Sequence, residues 1–354
     1  MAQPADTIGA IATKIFLNSV PARPWASERP LLQIMATENL TAGRLNSFEQ
    51  ITPMTNTVGV AEAWKWPVST AAPGNGGAYD RGGTFTFAVS DTMISAQQSP
   101  YFYQQPIEVA TSDLNVHAQA VGNERGIAYL VERMNDAKHK LSQILATDIV
   151  ATTQGVAPNK INPLFIDIDS TGSSCGISQG DYANWASAET NLATERLTIR
   201  ALAKAIRDQR RNKMASCDII VCGSAVHQYL VDEAESRNLP YFDLVETFGK
   251  DADGQYKLHL EVSHSTIKVE GAPVVVDNYL DLVGTTNPGD TAFVISLKDY
   301  MLFGAQKDNF AIHGWEDVRL TAAKDATRAQ ITWAGFLAMR NRATHIKFIN
   351  CKVS

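Results

Sequence analysis

Residues 57–90, TVGVAEAWKWPVSTAAPGNGGAYDRGGTFTFAVS, hold the clearest structural signal in the chain. Val58, Val60, Trp64 and Trp66 share one parity, with Glu62 the only polar interruption, while Gly59, Ala61, Ala63 and Lys65 take the other. A period of two is what a half-buried strand requires, because successive side chains point to opposite faces. Phe85, Phe87 and Val89 then alternate with Thr84, Thr86, Ala88 and Ser90, and PVSTAAPGNGGAYDRGG between the two runs has the glycines and prolines of a turn-rich tip. The reading is a long β-hairpin. A two-stranded ribbon is marginal in water, so its aromatic face needs cover from this subunit's core or from a neighbour.

Working outward, residues 1–50 carry short apolar clusters broken by Pro21, Pro24 and Pro30 with Trp25 between them. Apart from a short helix near 8–17, they read as an extended arm. On the other side, residues 113–153 change to a helical period, with Val116, Ala120, Ile127, Leu130, Val131, Met134, Leu141, Ile144, Leu145 and Ile149 at three- and four-residue steps. Ser112 or Asp113 caps the start, Gly155 and Pro158 supply a stop, and Gly122 and Gly126 weaken the first turns. Such a helix is roughly 50 Å long, a scaffold for an elongated subunit. After the turn-rich CGISQGDYANWASAE comes a second helix over 194–212, with Ile199, Leu202, Ala203 and Ile206 as its buried stripe. Arg196, Arg200, Lys204, Arg207 and Arg211 run along another face. DIIVCGS reads as a buried strand and AVHQYLVDEAES as a helix beside it, an α/β unit. The remainder is strand-rich, without a repeat of fixed period.

At 354 residues the chain has room for about two domains. Its 45% hydrophobic and 19% charged residues are globular values that argue against disorder. Thirty-one basic against 37 acidic side chains, a net charge of −6, exclude a surface built throughout to grip phosphates while leaving room for local basic patches. Cys175, Cys217, Cys222 and Cys351 form no CxxC pair and read as free thiols in a reducing compartment. The N-terminus lacks the basic region of a secretory signal, and no apolar run reaches the 18 or so residues of a membrane span. A soluble protein made in the cytoplasm is expected.

The candidate chemistry reduces to ordinary structure. Gly74, Gly76 and Gly77 fit neither GxxxxGK[ST] nor GxGxxG and mark a hairpin tip. Asp167, Asp169 and Gly172 open like a calcium loop, but Ser178 stands where the bidentate Glu belongs, so a solvated turn is expected, as at DADG over 251–254. His259 and His264 lie five apart in a strand-like stretch and point to opposite faces, and no HExxH is present. Cys217 or Cys222 with His227 makes a nominal nucleophile and base, yet both thiols flank an apolar strand, the usual place of an inert cysteine, and Ser224 is not a GxSxG elbow. No catalytic residue, metal or cofactor is assigned. The basic helix face reads first as a solvated face, with Arg210, Arg211 and Lys213 suiting the helix C-terminus, and second as the one patch suited to DNA.

The order of arm, long hairpin, long helix, α/β middle and closing strands resembles the tailed-phage major capsid protein family, the Hong Kong 97-type fold shared by encapsulins. Three stretches carry the likeness: CGISQGDYANWASAETNLATERLTIRALAKAIRDQ; DIIVCGSAVHQYLVDEAES with EGAPVVVDNYL; and AQITWAGFLAMRNRATHIKFI. They are packing patterns rather than enzymatic motifs. The resemblance implies an α+β fold with an N-arm (1–50), an extended loop (51–107), a peripheral domain with the spine helix (108–165 and 322–354) and an axial domain (166–321). It implies a non-enzymatic shell subunit forming pentamers and hexamers of an icosahedral head around double-stranded DNA contacted non-specifically. Scaffolding protein, portal and decoration or cement protein are the further partners, with the virion as location after assembly in the host cytoplasm. Trp25, Trp64, Trp66, Tyr79, Arg81, Phe85 and Phe87 become candidate intersubunit contacts. No lysine–asparagine crosslinking pair is identified, so covalent chainmail is not expected. No charged coiled coil precedes the arm, so a separate scaffold is expected. The alternatives are an encapsulin compartment of the same fold and a cysteine-dependent α/β enzyme.

Overall fold

The apolar steps between Leu130 and Ile149 do form a helix, α1 (Asn123–Ile149), whose 27 residues span about 40 Å. Leu130, Met134, Leu141, Leu145 and Ile149 make its buried stripe. The computed structural model describes residues 31, 52–54, 63–69, 93–113, 123–152, 160–192, 196–236, 267–282, 290–317 and 325–351. Val116, Ala120 and Gly122, expected in the same helix, lie outside the described residues, as do the expected stop residues Gly155 and Pro158.

A small antiparallel sheet joins β1 (Thr52–Met54), β2 (Ala63–Ser69) and β3 (Met93–Gln98). The expected hairpin paired 57–66 with 84–90; in the structure Trp66 of β2 lies opposite Ala96 of β3, and Pro67, Val68 and Ser69, expected in the tip, continue the strand. The parity of Trp64 and Trp66 extends through Val68, which is buried, so the alternation itself carries the strand past the proline. Residues 84–90 lie outside the described residues.

Next comes β4 (Tyr101–Ala110), which turns Tyr103, Ile107 and Val109 towards α1 and leaves Phe102, Gln104, Pro106 and Glu108 exposed. Short elements follow: α2 (Leu164–Asp167), β5 (Ser173–Ser174), β6 (Ile177–Ser178) and β7 (Ala188–Asn191). Helix α3 (Ile199–Lys213), strand β8 (Ile219–Cys222) and helix α4 (Ser224–Ser236) form the expected α/β unit, and β9 (Lys268–Val269) leads to β10 (Ala272–Val276), parallel to β8. After α5 (Asn278–Leu282) the chain closes with β11 (Ala292–Ile295), β12 (Tyr300–Asp317), β13 (Ala326–Met339) and β14 (Ile346–Ile349).

β5 and β6 pair with each other, and two larger sheets organise the other strands. One is antiparallel in the order β12–β13–β4; the other is mixed and six-stranded in the order β7–β14–β11–β8–β10–β9. β8 and β11 are buried throughout, as a central strand covered on both faces must be. Their alternate residues feed two hydrophobic cores: Ile219, Val221, Phe293 and Ile295 join α1 and the long antiparallel sheet, while Ile220, Cys222, Ala292 and Val294 join α3 and α4. The sheet is thus the wall between the cores.

The closing strands divide between these two sheets. β12 pairs along its length with β13, and β14, expected beside β13, pairs with β11 and β7. The two closing strands belong to different sheets, and residues 340–345 carry the chain between them. Gly335 of β13 faces the Phe303 carbonyl of β12 so closely that a Cβ would run into it. No helix among the described residues is long and apolar enough to cross a membrane.

Candidate assembly surface and basic helix face

At the root of the ribbon the two tryptophans part company. Trp66 is 2% exposed, its indole N–H donates to the Met339 carbonyl at 3.0 Å, and its ring stacks on Phe336 with centroids 6.0 Å apart. Trp64 stacks on the same ring at 6.1 Å but stays half-buried. Trp66 is therefore packed into the core of its own chain: the end of β13 rises to meet this face of β2 and supplies both the stacking partner and the hydrogen-bond acceptor. Trp25, Tyr79, Arg81, Phe85 and Phe87 lie outside the described residues. Beside Trp66 opens a cleft of about 430 Å³ between Met93 of β3 and Lys213 and Met214 at the end of α3. Met93 and Met214 are 57% and 92% exposed.

Helix α3 begins where the Thr198 hydroxyl accepts from the Ala201 N–H at 3.1 Å, and a Glu233 carboxylate oxygen on α4 accepts from Ile199 N–H at 2.8 Å. At 100° per residue, Arg200, Lys204, Arg207 and Arg211 fall within an arc of about 60°. All four are exposed, and Leu202, Ile206 and Gln209 on the opposite side are buried. The cations differ in what they touch. Arg196, ahead of the helix, stacks over the Tyr229 ring at 5.2 Å. Arg207 stands 3.6 Å from the Glu270 carboxylate. Arg210, off the stripe, donates to the carbonyls of Ser216, Cys217 and Glu270 and ties down the chain after the helix. Arg200, Lys204 and Arg211 have no ion-pair partner among the described residues.

The thiols considered for catalysis are enclosed in the fold. All four cysteines are buried free thiols. Burial pushes Cys175 and Cys351 up to about 12 and Cys217 up to about 11, and Cys222 is raised as well, so none is a thiolate at neutral pH. The expected solvated turn is only partly there: Asp167 closes α2 and is buried, while Asp169 and Gly172 lie in the bend that follows, with Gly172 at φ 74°. Asp167 accepts from the Ser174 and Tyr300 hydroxyls at 2.8 and 3.1 Å, and Asp169 pairs with Lys347 at 3.1 Å, so both carboxylates are taken. Among the described residues no group of His, Cys, Asp and Glu is placed to hold a metal. Gly74, Gly76, Gly77, residues 251–254, His259 and His264 lie outside them.

Sequence reasoning missed the polar centre beneath that turn. Arg342, fully buried between β13 and β14, donates to the carbonyls of Asp167, Ile166, Thr171 and Gly172 at 2.8, 3.0, 2.7 and 3.4 Å. Burial lowers its guanidinium from the ordinary arginine value and pushes the Asp167 carboxyl up to about 6. His345 is buried too; its Nδ1 accepts from Ser296 N–H at 3.2 Å, and burial pushes it down to about 3, so it is neutral. Lys347 bridges Asp169 and Glu189. The signal was present as four basic side chains, Arg340, Arg342, His345 and Lys347, in the apolar closing run MRNRATHIKFI.

No protein-family model and no curated protein matches the sequence. Solved structures do. The capsid asymmetric unit of cyanophage A-1(L) superposes with a TM-score of 0.59 at 16% identity, over 81% of this chain and 87% of that one. The capsid of the native GTA particle gives 0.51 at 12% identity, over 85% and 89%. The holo-SrpI encapsulin of Synechococcus elongatus gives 0.47 at 10% identity, over 89% and 90%, too low to weigh in choosing between a phage head and an encapsulin. With its described elements running in one order over most of the chain, this protein has the fold of phage major capsid proteins.

Proposed function

We propose that the chain is the shell subunit of a phage head, assembling through pentamers and hexamers into an icosahedral capsid around double-stranded DNA. The observation that carries the reading is the shared fold with the cyanophage capsid subunit over most of both chains. The residues agree with it. A ribbon root pinned to the subunit by Trp66, a helix of about 40 Å and a six-stranded sheet are the elements such a subunit uses. Repeated closed contacts between copies of one surface build shells. The arm, extended loop, peripheral part and axial part take their roles in this reading, with the sheet partners redrawn as above, and Trp64 at the ribbon root stays a candidate intersubunit contact. Scaffolding protein and portal act during assembly, decoration protein afterwards, and the virion is the final location. Every cysteine is a buried neutral thiol, which argues against the cysteine-enzyme reading.

The test is negative-stain electron microscopy of the full chain expressed alone and with phage scaffolding protein. Closed shells tens of nanometres across are expected. Shells that co-purify with a cargo enzyme and no nucleic acid would replace this reading with the encapsulin one, and a chain that remains monomeric in both preparations would overturn it.

A further inference from the structure

We infer that the exposed stripe of α3 is a docking surface for the phosphate backbone of duplex DNA, with Arg200, Lys204 and Arg211 as its contact residues; the inference rests on the shell reading, which places DNA beside the subunit. The structure separates these three from the other cations near the helix. Arg210 is spent on three carbonyls of the following segment, Arg196 on the Tyr229 ring, and Arg207 is partly neutralised by Glu270. Arg200, Lys204 and Arg211 are exposed and lie within an arc of about 40° over about 16 Å of helix.

The chemistry of the stripe suits a polyanion held by charge alone. A protein partner would need a buried apolar anchor at the centre of the contact. Among the described residues the exposed large hydrophobic residues are Met93, Phe102, Tyr182 and Met214; none lies within α3, and Met214, the C-cap three residues past Arg211, is at the end of the stripe rather than its centre. Asp208 is the only acid in the helix and sits off the stripe. One strand of B-form DNA carries a charge every 3.4 Å or so of axis, so about 16 Å of stripe faces four or five phosphates. Three side chains without base-reading partners give sequence-independent binding, which suits a chain of net charge −6 that must hold DNA without capturing it tightly.

The experiment is fluorescence anisotropy of a labelled 30-base-pair duplex titrated with soluble capsomers at several salt concentrations. The triple variant R200Q/K204Q/R211Q keeps helix propensity and the buried face. The slope of log affinity against log salt is expected to become shallower by about 0.9 for each cation removed, close to three for the triple variant. The control K140Q/K268Q, exposed positions off the stripe, should leave the slope unchanged. An unchanged slope in the triple variant, an equal change in the control, or no duplex binding by the wild type overturns the assignment. Shell formation of the same proteins, viewed by microscopy, is a separate readout, so failure of the stripe and failure of the shell reading are distinguishable.

Discussion

Burial moves His345 and Asp167 in opposite directions, and the two signs can be read separately in solution. His345 is pushed from 6.5 down to about 3, so below pH 6.5 the unfolded chain takes up a proton that the folded one refuses. Its contribution to stability is complete above pH 6.5 and is lost as the pH falls towards 3. Asp167 is pushed from 3.8 up to about 6, so its contribution is complete below pH 3.8 and is lost as the pH rises through 6. Between pH 4 and 6, D167N should therefore gain stability relative to the wild type as the pH rises, by on the order of 3 kcal/mol across the window, and H345Q should lose it. Urea unfolding of unassembled subunits measures both, and three parallel profiles would refute the assignment. Arg342 gives a companion test read at a single pH. R342M leaves the carbonyls of Ile166, Asp167, Thr171 and Gly172 without their donor in a buried site, at an expected cost of about 3–5 kcal/mol at pH 7. R342K should lose nearly as much, because an ammonium cannot reach the same fork of acceptors; a lysine variant with the wild-type urea midpoint would sink the idea.

At the scale of elements, the seat of β2 on the end of β13 separates folding from assembly. W66A removes a buried indole, its stacking on Phe336 and its bond to Met339, so a loss of about 3–5 kcal/mol in the free subunit is expected. W64A should cost roughly half or less, since Trp64 is half-buried. Thermal unfolding of unassembled protein checks this, and equal midpoints for the two variants would contradict it. The same strand shows what the sequence makes legible. Its alternation and the period of α1 are local patterns imposed by a buried face: α1 lies within its expected span, and the strand overlaps its expected run and continues past it to Ser69. Its partner β3, MISAQQ, has an exposed Met93 and a weak pattern, so the pairing is decided by register across the chain. The crossing of β13 and β14 into different sheets was equally hidden, because both are apolar runs, and the buried Arg342 at the crossing finds acceptors that lie about 170 residues away in the sequence. The basic stripe was legible as a pattern, but which of its cations are engaged was not, since Glu270, Tyr229 and the Ser216 carbonyl come from other elements.

For the whole molecule, the six-stranded sheet divides the thiols as well as the cores. Cys175 lies in the core shared with α1, whereas Cys217, Cys222 and Cys351 lie in the core beneath α3 and α4. All four are buried within a single chain, so their protection should not depend on neighbouring subunits. Capsomers and closed shells treated with a maleimide at neutral pH are both expected to remain unlabelled, and urea-unfolded chain should take up four labels. Labelling must then wait for local opening, whose free energy differs between cooperative units of one fold. In intermediate urea, mass spectrometry of the modified peptides resolves the order: if the sheet holds the two cores together, Cys175 and Cys222 become reactive in one transition, and if the α3–α4 layer opens alone, Cys217, Cys222 and Cys351 react first. Rapid labelling of Cys217 or Cys222 in native protein would contradict their burial and return the cysteine-enzyme reading to consideration. Protection in free capsomers equal to that in shells would mean that the subunit arrives at assembly with both cores already closed, leaving the ribbon and the exposed faces of the sheets to make the contacts between copies.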